Sequence, residues 1–127
     1  SASAIQTLRL ISSSQAAYST GVGNGEYANV DDLVREQFID ESIGAASIPS
    51  SSATQQPKSG YIFVFNRTIN NPSNNTLASY EVSARPLFTN SLTASGNKSF
   101  FVDASAVIRF SPSPSAPFAD ANSQPLN

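Results

Sequence analysis

The apolar residues of the first twenty positions recur with the period of an α-helix. Those that share one face of such a helix are Ala4, Ile5, Leu8, Ile11 and Tyr18. Gln15 is the one polar residue on this stripe. This amphipathic spacing predicts a helix over residues 1–20. Glycines at positions 21, 23 and 25 end the pattern, because glycine favours the turn that closes a helix.

A second, shorter apolar pattern follows the glycines. Asn29 is a good N-cap, and Asp31 and Asp32 fall in the first turn, where the helix dipole favours negative charge. The apolar face consists of Val30, Leu33, Val34 and Phe38. We predict one short helix within residues 29–43, ended by Gly44.

From residue 60 onward, the apolar residues follow patterns typical of β-strands. The continuous apolar run at 60–66 predicts a central strand, and the alternation at 78–87 predicts a strand with one buried face. Runs at 99–103 and 106–110 predict a closing hairpin. In this hairpin we expect three buried side chains, those of Phe101, Val107 and Phe110.

These patterns predict one domain over residues 1–127, of the α+β class. An N-terminal helix packs on a four-stranded antiparallel sheet, with a short second helix in the connecting loop. In chain order, the parts are the helix at 1–20, the helix-to-sheet loop at 21–58 with a linker-like stretch from 45, the antiparallel sheet at 60–110 and an irregular Ser/Pro-rich tail at 111–127.

Composition and charge exclude several classes of function. The net charge is −2 and the seven basic residues are scattered, so no nucleic-acid site is predicted. The absence of Cys and His removes disulfides, thiolate chemistry and the commonest general base and metal ligand. No apolar run approaches the ~18–20 residues that a membrane-spanning helix needs.

The carboxylates and serines give only weak evidence for a catalytic site. Paired acids such as Asp31/Asp32 and Asp40/Glu41 suit glycoside hydrolysis, but helix capping and solvation account for them. The serines have no His partner. The stretch "GVGNGEY" spaces its glycines at one, three and five rather than one, three and six of the dinucleotide fingerprint. We therefore predict no enzyme, and no catalytic, cofactor-binding or metal site.

Three sequons are candidate glycan acceptors, with the acceptor asparagines Asn66, Asn74 and Asn97. In a chain this rich in asparagine, chance alone produces such triplets, and chance is the preferred interpretation.

Five stretches, in order, resemble the type IV pilin and pseudopilin family. "ASAIQTLRLISSSQAAYST" is similar to the family's helix after the membrane segment, with Leu8, Ile11, Gln15 and Tyr18 at matching places. "GNGEYANVDDL" resembles its glycine turn followed by "YAxLxxL", and "FIDESI" resembles its "LID" stretch. "KSGYIFVF" resembles "KSGYxFxY", and "KSFFVDASAVIRF" resembles "RSFYxDQSGVIR". Together the stretches cover most of the chain.

The resemblance implies a structural subunit of a bacterial type IV pilus or related cell-surface filament. It implies a long apolar helix before residue 1, which holds the full-length form in the inner membrane before assembly. The implied partners are other copies in a helical filament and the assembly machinery. Ile5 and Leu8 would pack the helix, and Ser1–Ala4 would lead into the filament core. The alternatives are a type II secretion pseudopilin and a minor pilin acting in binding or adhesion.

The chain departs from the family in two places. Many pilins close a C-terminal loop with a disulfide, which this chain lacks the cysteines to form. The major pseudopilin's calcium loop has several carboxylates near the C-terminus, whereas here only Asp103 and Asp120 lie there. We therefore expect no calcium site, and we rank a surface pilus above a secretion role.

Overall fold

The N-terminal helix lies on one face of a single sheet in this structure, a computed structural model that describes residues 2–52, 54–87 and 98–126. Within these residues, the helices are α1 (Ala2–Thr20), α2 (Val30–Arg35) and α3 (Glu41–Ala45). The strands are β1 (Ser47–Ile48), β2 (Tyr61–Thr68), β3 (Ser79–Pro86), β4 (Ser99–Asp103), β5 (Arg109–Ser111) and β6 (Gln124–Pro125). A 3₁₀ turn at Pro72–Asn74 lies between β2 and β3.

The order of strands in the sheet follows the chain from β1 to β6. β1 runs parallel to β2, and each later pair of neighbours is antiparallel. The predicted α+β class with an N-terminal helix is confirmed. The prediction of four antiparallel strands was wrong, because the described residues form a mixed sheet of six strands.

β1 lies in the stretch that we predicted to be a loop. Ser47 is buried, and its hydroxyl donates to the carbonyl of Ile43 at 2.7 Å. The amide of Phe63 then donates to the carbonyl of Ala46 at 2.9 Å. These bonds hold the chain beside β2 as it leaves α3. A strand of two residues has no periodicity, so the sequence pattern could not reveal it.

The predicted second helix is two helices instead of one. Asn29 caps α2 as expected, because its side chain accepts from the amide of Asp32 at 2.9 Å. Gln37 then adopts a left-handed φ of 63°, which breaks the helix. Asp40 caps α3, accepting from the amides of Ser42 and Ile43. The predicted stop, Gly44, lies inside α3.

The predicted β4–β5 hairpin is present, but its second strand is shorter than expected. Ala106 has a φ of 65°, so the chain is still turning where the strand was predicted to begin. Phe101 is buried as predicted. Val107 is 37% exposed, so the prediction that it is largely buried was wrong, whereas Phe110 is partly buried and packs against the core cluster.

The core fills the space between α1, the α2–α3 segment and the inner face of the sheet. Alternate residues of β3 and β4 point into it, namely Tyr80, Val82, Ala84, Phe100 and Val102. β2 contributes Tyr61, Phe63 and Phe65. Burial of apolar surface on this scale is the main source of stability for such a domain.

The C-terminal tail packs on the opposite face of the sheet and is not wholly irregular. The amide of Ala119 donates to the hydroxyl of buried Ser99 at 2.8 Å. The guanidinium of Arg85 lies 4.5 Å from the centre of the Phe118 ring. β6 then pairs with β5. The tail therefore lies over the face to which Phe101 also points.

Candidate assembly surface

The predicted packing stripe of α1 is directed inward. Ala4, Leu8, Ile11 and Tyr18 are buried in the core cluster, and Ile5 is half-buried at its border. The helix contacts β3, β4 and α2. Because intramolecular packing uses this face, any partner must approach α1 from its other side.

Gln15, the polar member of the stripe, joins α1 to the segment that leads into α2. Its side chain has no solvent exposure (0%). The amide nitrogen donates to the carbonyl of Ala28 at 2.8 Å, and the amide oxygen accepts from the Ala28 N–H at 2.8 Å. One side chain thus satisfies both backbone groups of a buried residue. The sequence marked Gln15 only as an exception to the apolar pattern.

The turn after α1 is shaped by Gly23 and Tyr18. A Cβ on Gly23 would lie 2.7 Å from the Tyr18 ring and 2.2 Å from the carbonyl oxygen of Glu26, so only glycine fits. On its far side, Tyr18 meets the Phe38 ring edge-on, with the ring centres 6.4 Å apart. The end of α1 is therefore fixed relative to the α2–α3 segment.

The outward face of α1 is small and polar. Its exposed residues are Gln6, Arg9, Ser13, Ala16 and Ala17. A face of this kind allows another helix or sheet to approach closely, because no large side chain other than Arg9 stands on it. Leu10 lies at its edge and is 43% exposed.

A groove runs between α1 and the α2–α3 segment. It encloses about 500 Å³, and Leu10, Val34 and Phe38 contribute its apolar lining. Asp40 and Glu41 lie on its rim. Hydrogen bonds from the Ser42 hydroxyl and the Ile43 amide lower the pKa of Asp40, which keeps this rim anionic. The sequence signal that we missed is Leu10, a large apolar residue off the buried stripe.

A smaller depression flanks α1 on its other side. It encloses about 280 Å³ between Arg9 of the helix, the β4–β5 turn with Ala106 and Val107, and Pro125 of β6. The two ion pairs found among the described residues both involve Arg35, so Arg9 has no carboxylate partner there.

Two of the three sequon asparagines lie on the surface. Asn66 is exposed in β2, and Asn74 is exposed in the 3₁₀ turn between β2 and β3. Asn97 lies outside the described residues. Neither Asn66 nor Asn74 is part of the α1 surface, and glycosylation of the three asparagines stays a prediction.

The carboxylates of the described residues do not converge on a metal-binding group. No three Asp, Glu, His or Cys side chains in that part of the chain lie close enough to hold a metal ion. Glu81 and Asp103 are register partners on β3 and β4, but Asp103 already accepts from the amide and hydroxyl of Ser105.

Two buried tyrosines are the most perturbed ionisable groups of the core. Burial raises the pKa of Tyr61, whose hydroxyl donates to the carbonyl of Lys98 at 2.7 Å. Burial also raises the pKa of Tyr80. Both phenols are therefore favoured in the neutral form.

Among helices of the described ranges, including the nineteen-residue α1, none combines the length and apolarity needed to cross a membrane. Comparison with protein-family models, with curated proteins and with solved structures returns no match.

Proposed function

We propose that this protein is a structural subunit of a cell-surface filament of the type IV pilus class. The observation that carries the proposal is the position of α1. One face is buried on the sheet from Ala4 to Tyr18, while the other presents small and polar side chains along its length. Such a helix suits a subunit whose globular part surrounds a central bundle formed by the preceding segments of many copies.

The stretches that resemble pilins contain residues that form buried hydrogen bonds, left-handed turns and turn caps, which supports the proposal. Gln15 of the first stretch bonds to Ala28 of the second. "KSGY" forms a tight turn, with left-handed φ values of 52° at Ser59 and 84° at Gly60. Asp103 caps the β4–β5 turn of the last stretch by accepting from Ser105. The resemblance therefore lies in residues that determine local structure rather than in shared composition.

In the proposed mechanism, two parts of the subunit have separate structural tasks and neither catalyses a reaction. An apolar helix before residue 1 would hold the subunit in the inner membrane and then bury itself in the filament core. The domain described here would coat the filament. Its 13% of charged residues and its many Ser and Asn side chains suit an outer surface in water.

The test is to raise antibodies against this domain and to probe filaments sheared from the surface of cells that express the full-length gene. We expect the antibody to decorate long thin filaments along their length, and the sheared fraction to hold most of the protein. Recovery of the protein only from the soluble or membrane fraction, in cells that still make filaments, would contradict the proposal.

A second candidate is a minor subunit that binds a surface at the filament tip. It is favoured by one apolar end of the molecule, where Val22, Ile69 and Leu77 are all exposed. The bond from the Asn70 amide to the Glu26 carboxylate, at 3.0 Å, joins the two segments that carry these residues. Labelling confined to filament ends would select this candidate. A pseudopilin would instead leave surface filaments unlabelled and would impair secretion when deleted.

A further inference from the structure

The turn that follows α1 contains a pair of residues that occurs once in the sequence, an asparagine followed by a glycine, at Asn24 and Gly25. Both residues are exposed. Such a pair is chemically labile, because the backbone nitrogen of the glycine can attack the side-chain amide of the asparagine and glycine has no side chain to hinder the attack. A Cβ on Gly25 would meet no atom of the described residues within 4 Å, apart from its chain neighbours. The bond between the two residues is therefore open to water.

The reaction needs only water and the chain itself. The backbone nitrogen of Gly25 loses its proton to solvent and bonds to the side-chain carbonyl carbon of Asn24. The bond from that carbon to the side-chain nitrogen breaks, and ammonia leaves with a proton returned by solvent, so that a succinimide ring remains. Water then adds to one of the two ring carbonyls and opens the ring. The product is aspartate or isoaspartate, and either one adds a negative charge to the turn.

In the folded chain, the nitrogen that would attack is already engaged. The N–H of Gly25 donates to the carbonyl of Ser19 at 2.7 Å. In the same turn, the N–H of Gly23 donates to the carbonyl of Tyr18 at 2.8 Å. The backbone around the reactive bond is left-handed, with φ values of 47° at Asn24 and 95° at Gly25. Attack on the side chain would therefore require the bond to Ser19 to break and the backbone of the turn to rotate.

We propose that Asn24 is the site at which this protein is modified by deamidation, and that the turn at 21–25 gates the reaction, so that only molecules in which this turn has opened are modified. Opening of a helix end costs less free energy than global unfolding. The gate therefore depends on the packing of the turn, which Gly23 controls because its missing Cβ leaves room for the Tyr18 ring. The modification does not depend on whether the protein forms filaments.

The two products should differ in their effect on the fold. Aspartate adds a charge two residues from Glu26 but keeps the length of the backbone. Isoaspartate carries the chain through its side-chain carbon, which adds a methylene group to the backbone of a turn that is closed by the bond from Gly25 to Ser19. We expect the variant Asn24→Asp to melt close to the parent protein, whereas the isoaspartate form, separated by ion exchange, should melt at a lower temperature.

The test is to incubate the protein in mildly alkaline buffer, once folded and once in concentrated urea. Intact mass and ion exchange give the rate of deamidation, and peptide mapping gives its position. We expect the rate in the folded protein to be lower by at least about tenfold. Asn24→Gln should remove the fast reaction in urea. Equal rates in the two conditions would refute the gate, and a fast reaction in urea at another asparagine would refute the site.

Two variants and one further measurement test whether the turn itself is the gate. Gly23→Ala should raise the rate in the folded protein by about tenfold and leave the rate in urea unchanged. Ser99→Ala, under the C-terminal tail, should leave both rates unchanged. Equal acceleration by the two substitutions would show that opening is global and would refute the gate. In the parent protein, hydrogen exchange should show a protected amide at Gly25, and an unprotected one would overturn the proposal.

Discussion

Gln15 occupies a place where an amphipathic helix normally carries an apolar residue. Its side-chain amide hydrogen-bonds to the backbone N–H and C=O of Ala28, which would otherwise lack partners. Gly23 is constrained for a different reason, because Tyr18 fills the space that a Cβ needs. The junction between α1 and α2 therefore depends on the side-chain amide of Gln15 and on the absence of a Cβ at Gly23, rather than on the amount of apolar surface buried there.

Replacing Gln15 by Leu should destabilise the protein by about 3 kcal/mol. Leu keeps the volume but leaves two buried backbone groups of Ala28 unsatisfied, and each such loss costs roughly 1–3 kcal/mol. Urea denaturation followed by circular dichroism measures the change. Gln6→Leu, on the exposed face of the same helix, is the matched control and should stay within about 0.5 kcal/mol. Equal effects of the two substitutions would refute the role of Gln15.

Replacing Gly23 by Ala should cost about 1–3 kcal/mol, because the added methyl group must displace the Tyr18 ring and the Glu26 carbonyl. Gly21→Ala is the control, since its Cβ would meet only the Ala17 carbonyl oxygen at an ordinary 3.4 Å. Thermal melts of the two variants make the comparison. A Gly23→Ala protein as stable as the parent would show that this turn rearranges freely.

At the element scale, strong periodicity predicted structure well and weak periodicity did not. α1 and β3 each bury the face that their periodicity marks, and β2 follows from a continuous apolar run; each lies within about two residues of its predicted position. β1 and β6 have two residues each and form only because neighbouring strands offer them backbone partners. The break between α2 and α3 at Gln37 likewise follows from local backbone conformation and capping by Asp40.

The candidate assembly surface was likewise predictable from the sequence only where its residues follow a periodic pattern. The stripe residues of α1 were visible in the sequence because they repeat with the helix period. The groove was not, since Leu10, Val34 and Phe38 come together only through the turn between α2 and α3. The contact between the tail and β4 depends on a backbone amide, which every residue except proline has, so sequence carries no signal for it.

The bond to Ser99 should help to hold the C-terminal tail on the sheet, beside the Phe118 contact and the pairing of β6 with β5. Replacing Ser99 by Ala leaves the buried amide of Ala119 without its acceptor, which should cost about 1–3 kcal/mol. Hydrogen exchange should then speed up at Ala119 and protease cleavage should appear within 112–123. Ser13→Ala, at an exposed site of α1, is the control. Unchanged exchange at Ala119 would contradict this assignment.

At the scale of the whole molecule, the stability should decline in alkaline solution. The pKa values of Tyr61 and Tyr80 are raised in the folded state, so folding favours their neutral forms. Their contribution is fully present below the unfolded pKa of about 10 and is lost as pH rises through the folded values. The denaturation midpoint should fall above about pH 10. The Tyr61→Phe/Tyr80→Phe variant should show a shallower decline, and an identical decline would contradict this prediction.

The domain without a preceding apolar helix should be monomeric at micromolar concentration. An obligate interface normally buries about 2,000 Å² or more, and the outward face of α1 offers only small and polar groups for such a contact. Light scattering coupled to size exclusion tests this expectation. A tight dimer of the isolated domain would favour a soluble binding protein over a filament subunit.

Maleimide labelling of single-cysteine variants in assembled filaments tests whether the outward face of α1 is turned toward the filament interior. Ser13→Cys lies on that face, and Leu77→Cys lies on the apolar end, where Leu77 is 78% exposed. Both positions should label rapidly in the purified domain. In sheared filaments, this orientation of α1 predicts that Leu77→Cys still labels and Ser13→Cys is protected. Equal labelling of the two positions in filaments would contradict it.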